Sequence, residues 1–127
     1  MIVHLIVSYY EFEKNDYWIQ ATGLDFEIAS PGANTEVYRL KLPRENRRRS
    51  LAIHLLSGIR WKLIKKTKDQ VVFASDISES LWNAFVILCK EKFVLRSDLY
   101  EEWMKMKPEE LINELEIIKL TNVLKEE

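Results

Sequence analysis

The alternation of apolar and polar residues predicts β-strands in the first part of the chain. Residues 2–12 and 17–29 are rich in β-branched and aromatic side chains, which favour strands. Gly23 interrupts the second run and indicates a bulge or bend within a hairpin. After a polar loop at 30–34, residues 36–42 alternate again. The pattern therefore predicts three N-terminal strands.

The segment 44–59 is compatible with two structures. As a helix it begins at Pro43 and ends at Gly58, the usual positions of these residue types at helix ends. As a strand, the apolar residues of 51–56 alternate and residues 57–58 form a hairpin turn. We favour the helix because both ends are marked and because helices of this length are common.

The C-terminal part of the chain is predicted to form three helices. Asp76 followed by Glu79 resembles a capping box at the start of the first helix. Ser97 is the expected N-cap of the second, and Pro108 occupies a first helical position in the third. Apolar residues recur at helical spacing after each of these starts.

Between these regions, residues 60–67 and 70–74 are predicted to form a strand pair. The fold class is therefore α+β: an N-terminal antiparallel sheet of about five strands with one inserted helix, followed by a C-terminal cluster of three helices. No linker divides the chain, so 1–127 is expected to be one domain, mainly β over 1–75 and helical over 76–127.

Composition fits a folded protein of the cell interior. An apolar content of 47% supplies a core, and three glycines and three prolines are too few for a disordered chain. The single cysteine, Cys89, excludes an internal disulfide and fits a reducing compartment. No apolar stretch approaches the length of a membrane span. We therefore expect a soluble, cytoplasmic protein with no membrane partner.

Charge is distributed very unevenly along the chain. The segment 39–68, called here the basic segment, holds eleven of the nineteen positive residues and one acid, Glu45. The segments before it, within it and after it carry −5, +10 and −6, so the net charge of −1 conceals this asymmetry. Such separation indicates a charged partner.

The basic segment is the predicted binding site, because lysine and arginine side chains contact phosphates. Arginines at the start of a helix lie beside free amide groups and are suited to a phosphate, although they oppose the helix dipole. Cations on two neighbouring strand faces would extend the same surface. The predicted nucleic-acid-binding residues are Arg39, Lys41, Arg44, Arg47, Arg48, Arg49, Arg60, Lys62, Lys65, Lys66 and Lys68.

These residues predict a small nucleic-acid-binding protein that contacts the phosphate backbone of DNA or RNA. No base-reading element is visible, so sequence specificity should be low. The alternative is a protein-interaction or inhibitor module whose basic surface binds an acidic protein. The acidic C-terminal helices could also meet the basic segment of another copy and form a homo-oligomer.

Catalysis, metals and cofactors find little support in the sequence. His4 and His54 lie in apolar surroundings, and Cys89 lies on the apolar side of a predicted helix. Asp25, Glu27 and Glu36 could contribute to a metal-dependent nuclease, but the close acid-to-lysine spacing of such a site is missing. The chain has no glycine-rich phosphate loop and no zinc motif. We therefore expect no catalytic residue, no bound metal and no cofactor.

Overall fold

The computed structural model of the chain describes residues 1–8, 26–32, 38–68, 70–91 and 93–121. The chain forms two compact units and passes between them more than once. The first unit comprises Met1–Leu42 and Ile59–Ile77, and the second comprises Pro43–Gly58 and Ser78–Glu127.

The first unit is a five-stranded antiparallel sheet. Its strands are β1 (Ile2–Ser8), β2 (Phe26–Ala29), β3 (Arg39–Lys41), β4 (Lys62–Lys66) and β5 (Gln70–Asp76). They lie in the order β3-β2-β1-β5-β4, so β3 and β4 are the two edge strands of the described sheet. With the helices described below, this confirms the predicted α+β architecture, although the predicted strand residues between 9 and 25 lie outside the described part of the chain.

One face of the sheet is apolar and buried. Directly paired residues share a face, so Leu5 of β1 aligns with Ile28 of β2 and with Phe73 of β5. The buried members of this face are Val3, Leu5, Val7, Ile28, Leu40, Val71 and Phe73. Each such side chain contributes about 1.5–3 kcal/mol on leaving water, and this burial fixes the register of the strands.

The second unit consists of four helices. They are α1 (Asn46–Ser57), α2 (Glu79–Lys90), α3 (Ser97–Met104) and α4 (Pro108–Thr121). Helix α2 packs against α1 and α4, and α1 also contacts α3 and α4. Fully buried side chains of this unit include Leu51, Leu55, Phe85, Leu88, Trp103, Leu111 and Leu115. No helix within the described ranges is long and apolar enough to cross a membrane.

The ambiguous segment is a helix, as favoured by its marked ends. Helix α1 begins at Asn46 and not at Pro43, because the Glu45 side chain caps it. Gly58 is its C-cap, and the Gly58 amide donates to the carbonyl oxygens of Leu55 and Leu56.

Two predicted caps are corrected by the structure. Ser78, not Asp76, is the N-cap of α2, because the Asp76 carboxylate instead accepts a hydrogen bond from the amino terminus of Met1 at 2.9 Å. Ser97 is the first residue of α3 and not its cap, since its hydroxyl accepts a hydrogen bond from Arg47. Pro108 begins α4, as predicted.

The turn between β4 and β5 is closed without glycine. The Thr67 amide donates to the Gln70 carbonyl oxygen at 2.9 Å, and the Gln70 amide donates to the Thr67 hydroxyl at 3.1 Å. The hydroxyl of Thr67 therefore helps to hold together a turn in which hairpins commonly contain glycine.

Candidate functional site

Four cations of the basic segment share one face of the sheet, opposite the buried apolar face. Two rows of directly paired residues cross this face. The first row is Arg39, Ala29, His4, Ala74 and Lys62, and the second is Lys41, Glu27, Ile6, Val72 and Lys65. We call this the mixed face, because cations stand at both ends of each row, whereas Glu27, His4 and small or apolar residues lie between them.

A bulge in β4 brings Lys65 to the same face of the sheet as Lys62. The register shifts between Leu63 and Lys65, so Ile64 is the extra residue of the strand. Simple alternation from Lys62 would put Ile64 on the mixed face and Lys65 on the other. The structure corrects that expectation: Lys62 opposes Ala74 and Lys65 opposes Val72.

The cations of the mixed face form two separate margins. Four interstrand steps of about 4.8 Å separate β3 from β4, so the margins lie about 19 Å apart. His4 and Ile6 of the central strand are half-buried between them. The sequence predicted one continuous surface of cations. In the structure the cations instead stand at the two edges of the face, and none lies on β2, β1 or β5 between them.

The β3 margin is partly neutralised. The Glu27 carboxylate accepts a hydrogen bond from Arg39 Nε and lies directly opposite Lys41. This hydrogen bond, together with the charge of Glu27, raises the pKa of Arg39 above its ordinary value. An arginine already paired with a carboxylate has less to gain from a phosphate, so the β3 margin is the weaker of the two.

The β4 margin is exposed and uniformly positive. Residues 60–68 contain five cations and no acid, and every side chain of β4 is exposed. Lys62 and Lys65 make no ion pair with any residue in the described part of the chain. Arg60, Lys66 and Lys68 are exposed beside them.

Lysines and a bulge on an edge strand also have a purely structural explanation. Both features prevent the open edge from pairing with another sheet. Protection of the edge does not explain the neighbouring residues, since Leu63 and Ile64 of the same strand are apolar and are 51% and 46% exposed. A strand that only avoided association would carry fewer apolar side chains in solvent.

The amino end of α1 does not offer free amide groups to a phosphate. Glu45 Oε1 accepts a hydrogen bond from the Arg47 amide, and Glu45 Oε2 accepts one from the Arg48 amide, both at 3.0 Å. A carboxylate of the chain thus occupies the position predicted for an external anion. It also offsets the unfavourable placement of arginines at a positive helix end.

Two arginines of α1 bind backbone carbonyl groups of the segment that joins α2 to α3. Arg48 donates to the carbonyl oxygens of Glu91 and Phe93, both at 2.6 Å, and its guanidinium lies over the Phe93 ring. Arg47 donates to the Leu95 carbonyl oxygen at 2.8 Å and to Ser97 Oγ at 2.7 Å. These arginines therefore stabilise the second unit, through backbone carbonyl groups and not through acidic side chains of the C-terminal helices.

The remaining arginines of this run differ in exposure. Arg44 is exposed and makes no ion pair with a described residue, whereas Arg49 is half-buried. The predicted set of eleven is therefore divided between the two units. Arg39, Lys41, Arg60, Lys62, Lys65, Lys66 and Lys68 belong to the first unit, and Arg44, Arg47, Arg48 and Arg49 belong to the second.

The residues considered for catalysis are not brought together. His54 Nε2 donates to the Met106 carbonyl oxygen at 2.6 Å, which gives this histidine a structural role. Asp25 and Glu36 lie outside the described residues, and the carboxylate of Glu27 accepts a hydrogen bond from Arg39. Within the described ranges, no group of three or more His, Cys, Asp or Glu side chains is arranged to hold a metal ion.

Comparison of the chain with protein-family models, with curated proteins and with solved structures gives no match. Function is therefore inferred from the residues and the geometry of this chain.

Proposed function

We propose that this protein binds nucleic acid through phosphate contacts made by the cations of its sheet, with low sequence specificity. The observation that carries the proposal is the β4 margin. Lys62 and Lys65 project from one face of an exposed strand, next to further cations and with no described acid as partner. Ammonium groups of this kind displace the counterions that surround a nucleic acid, which favours binding entropically.

The spacing of the margin suits consecutive phosphates. Lys62 and Lys65 lie three residue steps of about 3.3 Å apart, or about 10 Å, and Arg60, Lys66 and Lys68 supply further exposed charge beside them. Three to five phosphate contacts would give a slope of log affinity against log salt of roughly −2 to −4. Arg39 and Lys41 form a second, weaker contact because Glu27 already pairs with this margin.

Low specificity follows from the kind of groups presented. Lysine contacts to phosphate fix position but carry no sequence information. Arg47 and Arg48 contribute less than the sheet lysines, because their guanidinium donors are already used by carbonyl groups of the second unit. Arg44, which is exposed, remains available for a phosphate.

The test is fluorescence anisotropy with labelled single-stranded and double-stranded oligonucleotides of DNA and RNA, titrated with salt. The informative variant is Lys62→Glu with Lys65→Glu, since both side chains are exposed on the mixed face. The matched control is Lys105→Glu with Lys107→Glu, which changes net charge equally at exposed positions between α3 and α4. We expect affinity to fall at least tenfold in the first variant and about threefold or less in the control.

Reversal of Arg47 and Arg48 would be a poor test, because the same change removes hydrogen bonds that hold the second unit together. Circular dichroism of both lysine variants checks that the fold survives. Absence of binding at low salt, or equal losses in the two variants, would refute the proposal.

The second candidate is an acidic protein partner, and the exposed Leu63 and Ile64 favour it. Apolar side chains between lysines fit a partner with both acids and apolar residues. Changing both to serine should weaken binding to such a protein and leave nucleic-acid affinity almost unchanged. Polyglutamate at matched charge concentration distinguishes the two classes: competition as strong as that of an oligonucleotide would favour the protein partner.

A further inference from the structure

A second site lies in the helical unit, and none of the sheet lysines that carry the proposed function lines it. An open cavity of about 460 Å³ is present next to the start of α1. Its size falls within the range of small-molecule pockets, roughly 300–1,000 Å³. We propose that this cavity binds a small organic carboxylate with an apolar body.

The apolar body is inferred from the cavity walls. Pro43, Val94 and Leu95 line the cavity together with Phe93, whose ring packs against the Arg48 guanidinium. Phe93 and Leu95 are held in place because their carbonyl oxygens accept hydrogen bonds from Arg48 and Arg47. The walls are therefore preorganised, which reduces the entropy lost when a ligand binds.

The negative charge of the ligand is inferred from Arg44. This exposed arginine lines the cavity and makes no ion pair with a described residue. With Arg48 and Glu45, the charged residues of the cavity carry a net charge of +1. A guanidinium fork beside an apolar wall matches a carboxylate attached to an apolar body.

Neither the helix end nor the thiol is the basis of this site. The amides at the start of α1 are already bound by Glu45, so they remain unavailable to a ligand. Cys89 lines the cavity, but burial raises the pKa of its thiol to about 12, which keeps it protonated and unreactive. The site is therefore one for reversible binding, and it does not depend on nucleic-acid binding in the other unit.

The test is a titration of the isotopically labelled full chain, followed by amide chemical shifts, with 2-naphthoate and with its uncharged counterpart 2-naphthamide. Saturable shifts are expected at Arg44, Glu45, Val94 and Leu95, with none at β1 and β5. Naphthoate should bind roughly fivefold more tightly than naphthamide, the effect of one partly exposed ion pair.

Three variants distinguish the contributions. Arg44→Gln should abolish the preference for the acid, whereas Val94→Trp should fill the cavity and eliminate binding of both compounds. Val94 is 48% exposed, so the larger side chain does not disturb a buried core. Glu45→Ser keeps a side-chain cap on α1 and removes the negative charge, so it should tighten naphthoate binding.

Absence of localised shifts, or equal affinities for the acid and the amide, would overturn the proposal. A Val94→Trp variant that binds as well as the unchanged protein would place the compounds elsewhere and overturn it too. Val94→Trp alters none of the cations proposed to bind phosphate, so loss of the cavity in that variant leaves the salt-dependent nucleic-acid binding intact, and the two proposals fail independently.

Discussion

The guanidinium of Arg48 lies 4.1 Å from the centre of the Phe93 ring and donates to the carbonyl oxygen of the same residue at 2.6 Å. A second donor of Arg48 binds the Glu91 carbonyl oxygen, which belongs to the end of α2. One side chain thus satisfies carbonyl groups where a helix ends without glycine and packs against the aromatic ring that follows.

Replacement of this arginine by lysine should destabilise the protein, although the charge is retained. A lysine ammonium lacks the planar fork that reaches two carbonyl oxygens while stacking on a ring. We expect Arg48→Lys to lower the free energy of unfolding by about 2 kcal/mol, measured by urea denaturation. Arg44→Lys is the matched control at an exposed position and should change it by less than about 0.5 kcal/mol. Equal midpoints for the two variants would contradict the structural role.

The elements of the fold were predictable because their signals are local. Helix α1 is marked by the Gly58 that follows it, and α4 by the Pro108 that begins it. The strand β1 is readable for a similar reason, since its run of β-branched residues is local and its buried face takes every second residue. The strand alternative for α1 was wrong. The buried residues of α1 are Leu51, Ala52, Leu55 and Leu56, which share one face of a helix but would lie on both faces of a strand.

The roles of the arginines were not predictable, because their partners are distant and are backbone atoms. The carbonyl groups bound by Arg47 and Arg48 lie 43 to 48 positions further along the chain. A carbonyl group carries no residue-type signal that would indicate such a partner. One clue was present in the sequence: no glycine follows Lys90, the last residue of α2. The last carbonyl groups of α2 therefore need hydrogen-bond donors from elsewhere in the chain. The bulge at Ile64 was hidden for a similar reason, since register depends on the paired strand.

Cys89 should react slowly with thiol reagents in the folded protein. Burial raises the pKa of its thiol from 9.0 to about 12, against the opposing effects of Lys90 and Arg48. At pH 8 the thiolate fraction is then roughly a thousandfold smaller than in the unfolded chain, because each pH unit changes it about tenfold. Labelling rates with and without denaturant measure this ratio, and similar rates would show that the thiol is not buried.

The same shift predicts a loss of stability at alkaline pH. Between pH 9 and about 12 the folded state retains the thiol proton that the unfolded state releases. The contribution of the buried, protonated Cys89 thiol to the free energy of unfolding is therefore fully present below pH 9 and is lost as the pH rises toward 12. Unfolding curves for Cys89→Ala, collected across this range, should fall less steeply with pH than those of the unchanged protein.

Glu45 should stabilise the protein mainly by capping α1 with hydrogen bonds, and less by its negative charge. Its carboxylate accepts both the Arg47 and the Arg48 amides at 3.0 Å, so Glu45→Ala should cost about 1 kcal/mol of unfolding free energy. Glu45→Ser retains an oxygen that can accept from the helix and should recover most of this loss. Thermal unfolding of Glu45→Ala at low and high salt tests this explanation. High salt would remove a stabilisation that came from charge alone, whereas the loss caused by the missing cap should persist.

Gly58 is required because Pro108 lies close to it, and not because of its backbone conformation. Its φ of −86° is accessible to any residue, so alanine without a clash would be neutral or slightly stabilising. A Cβ at this position would lie 2.8 Å from Pro108 Cγ and 2.9 Å from Pro108 Cβ. We therefore expect Gly58→Ala to lower the free energy of unfolding by roughly 1–3 kcal/mol, through overpacking where α1 ends and α4 begins.

A double-mutant cycle separates this clash from other effects of the substitution. Pro108→Ala removes Cγ, the nearer of the two atoms that the new Cβ would meet, and frees the backbone that the proline ring holds. The double variant should therefore lose less stability than the sum of the two single losses. Gly32→Ala provides the contrast: its φ of +74° strains any side chain in otherwise open space, at a cost of about 1 kcal/mol. That cost should be unaffected by Pro108→Ala. Additive losses for Gly58 and Pro108 in urea denaturation would show that the two residues do not meet, and would contradict the packing of α4 against the end of α1.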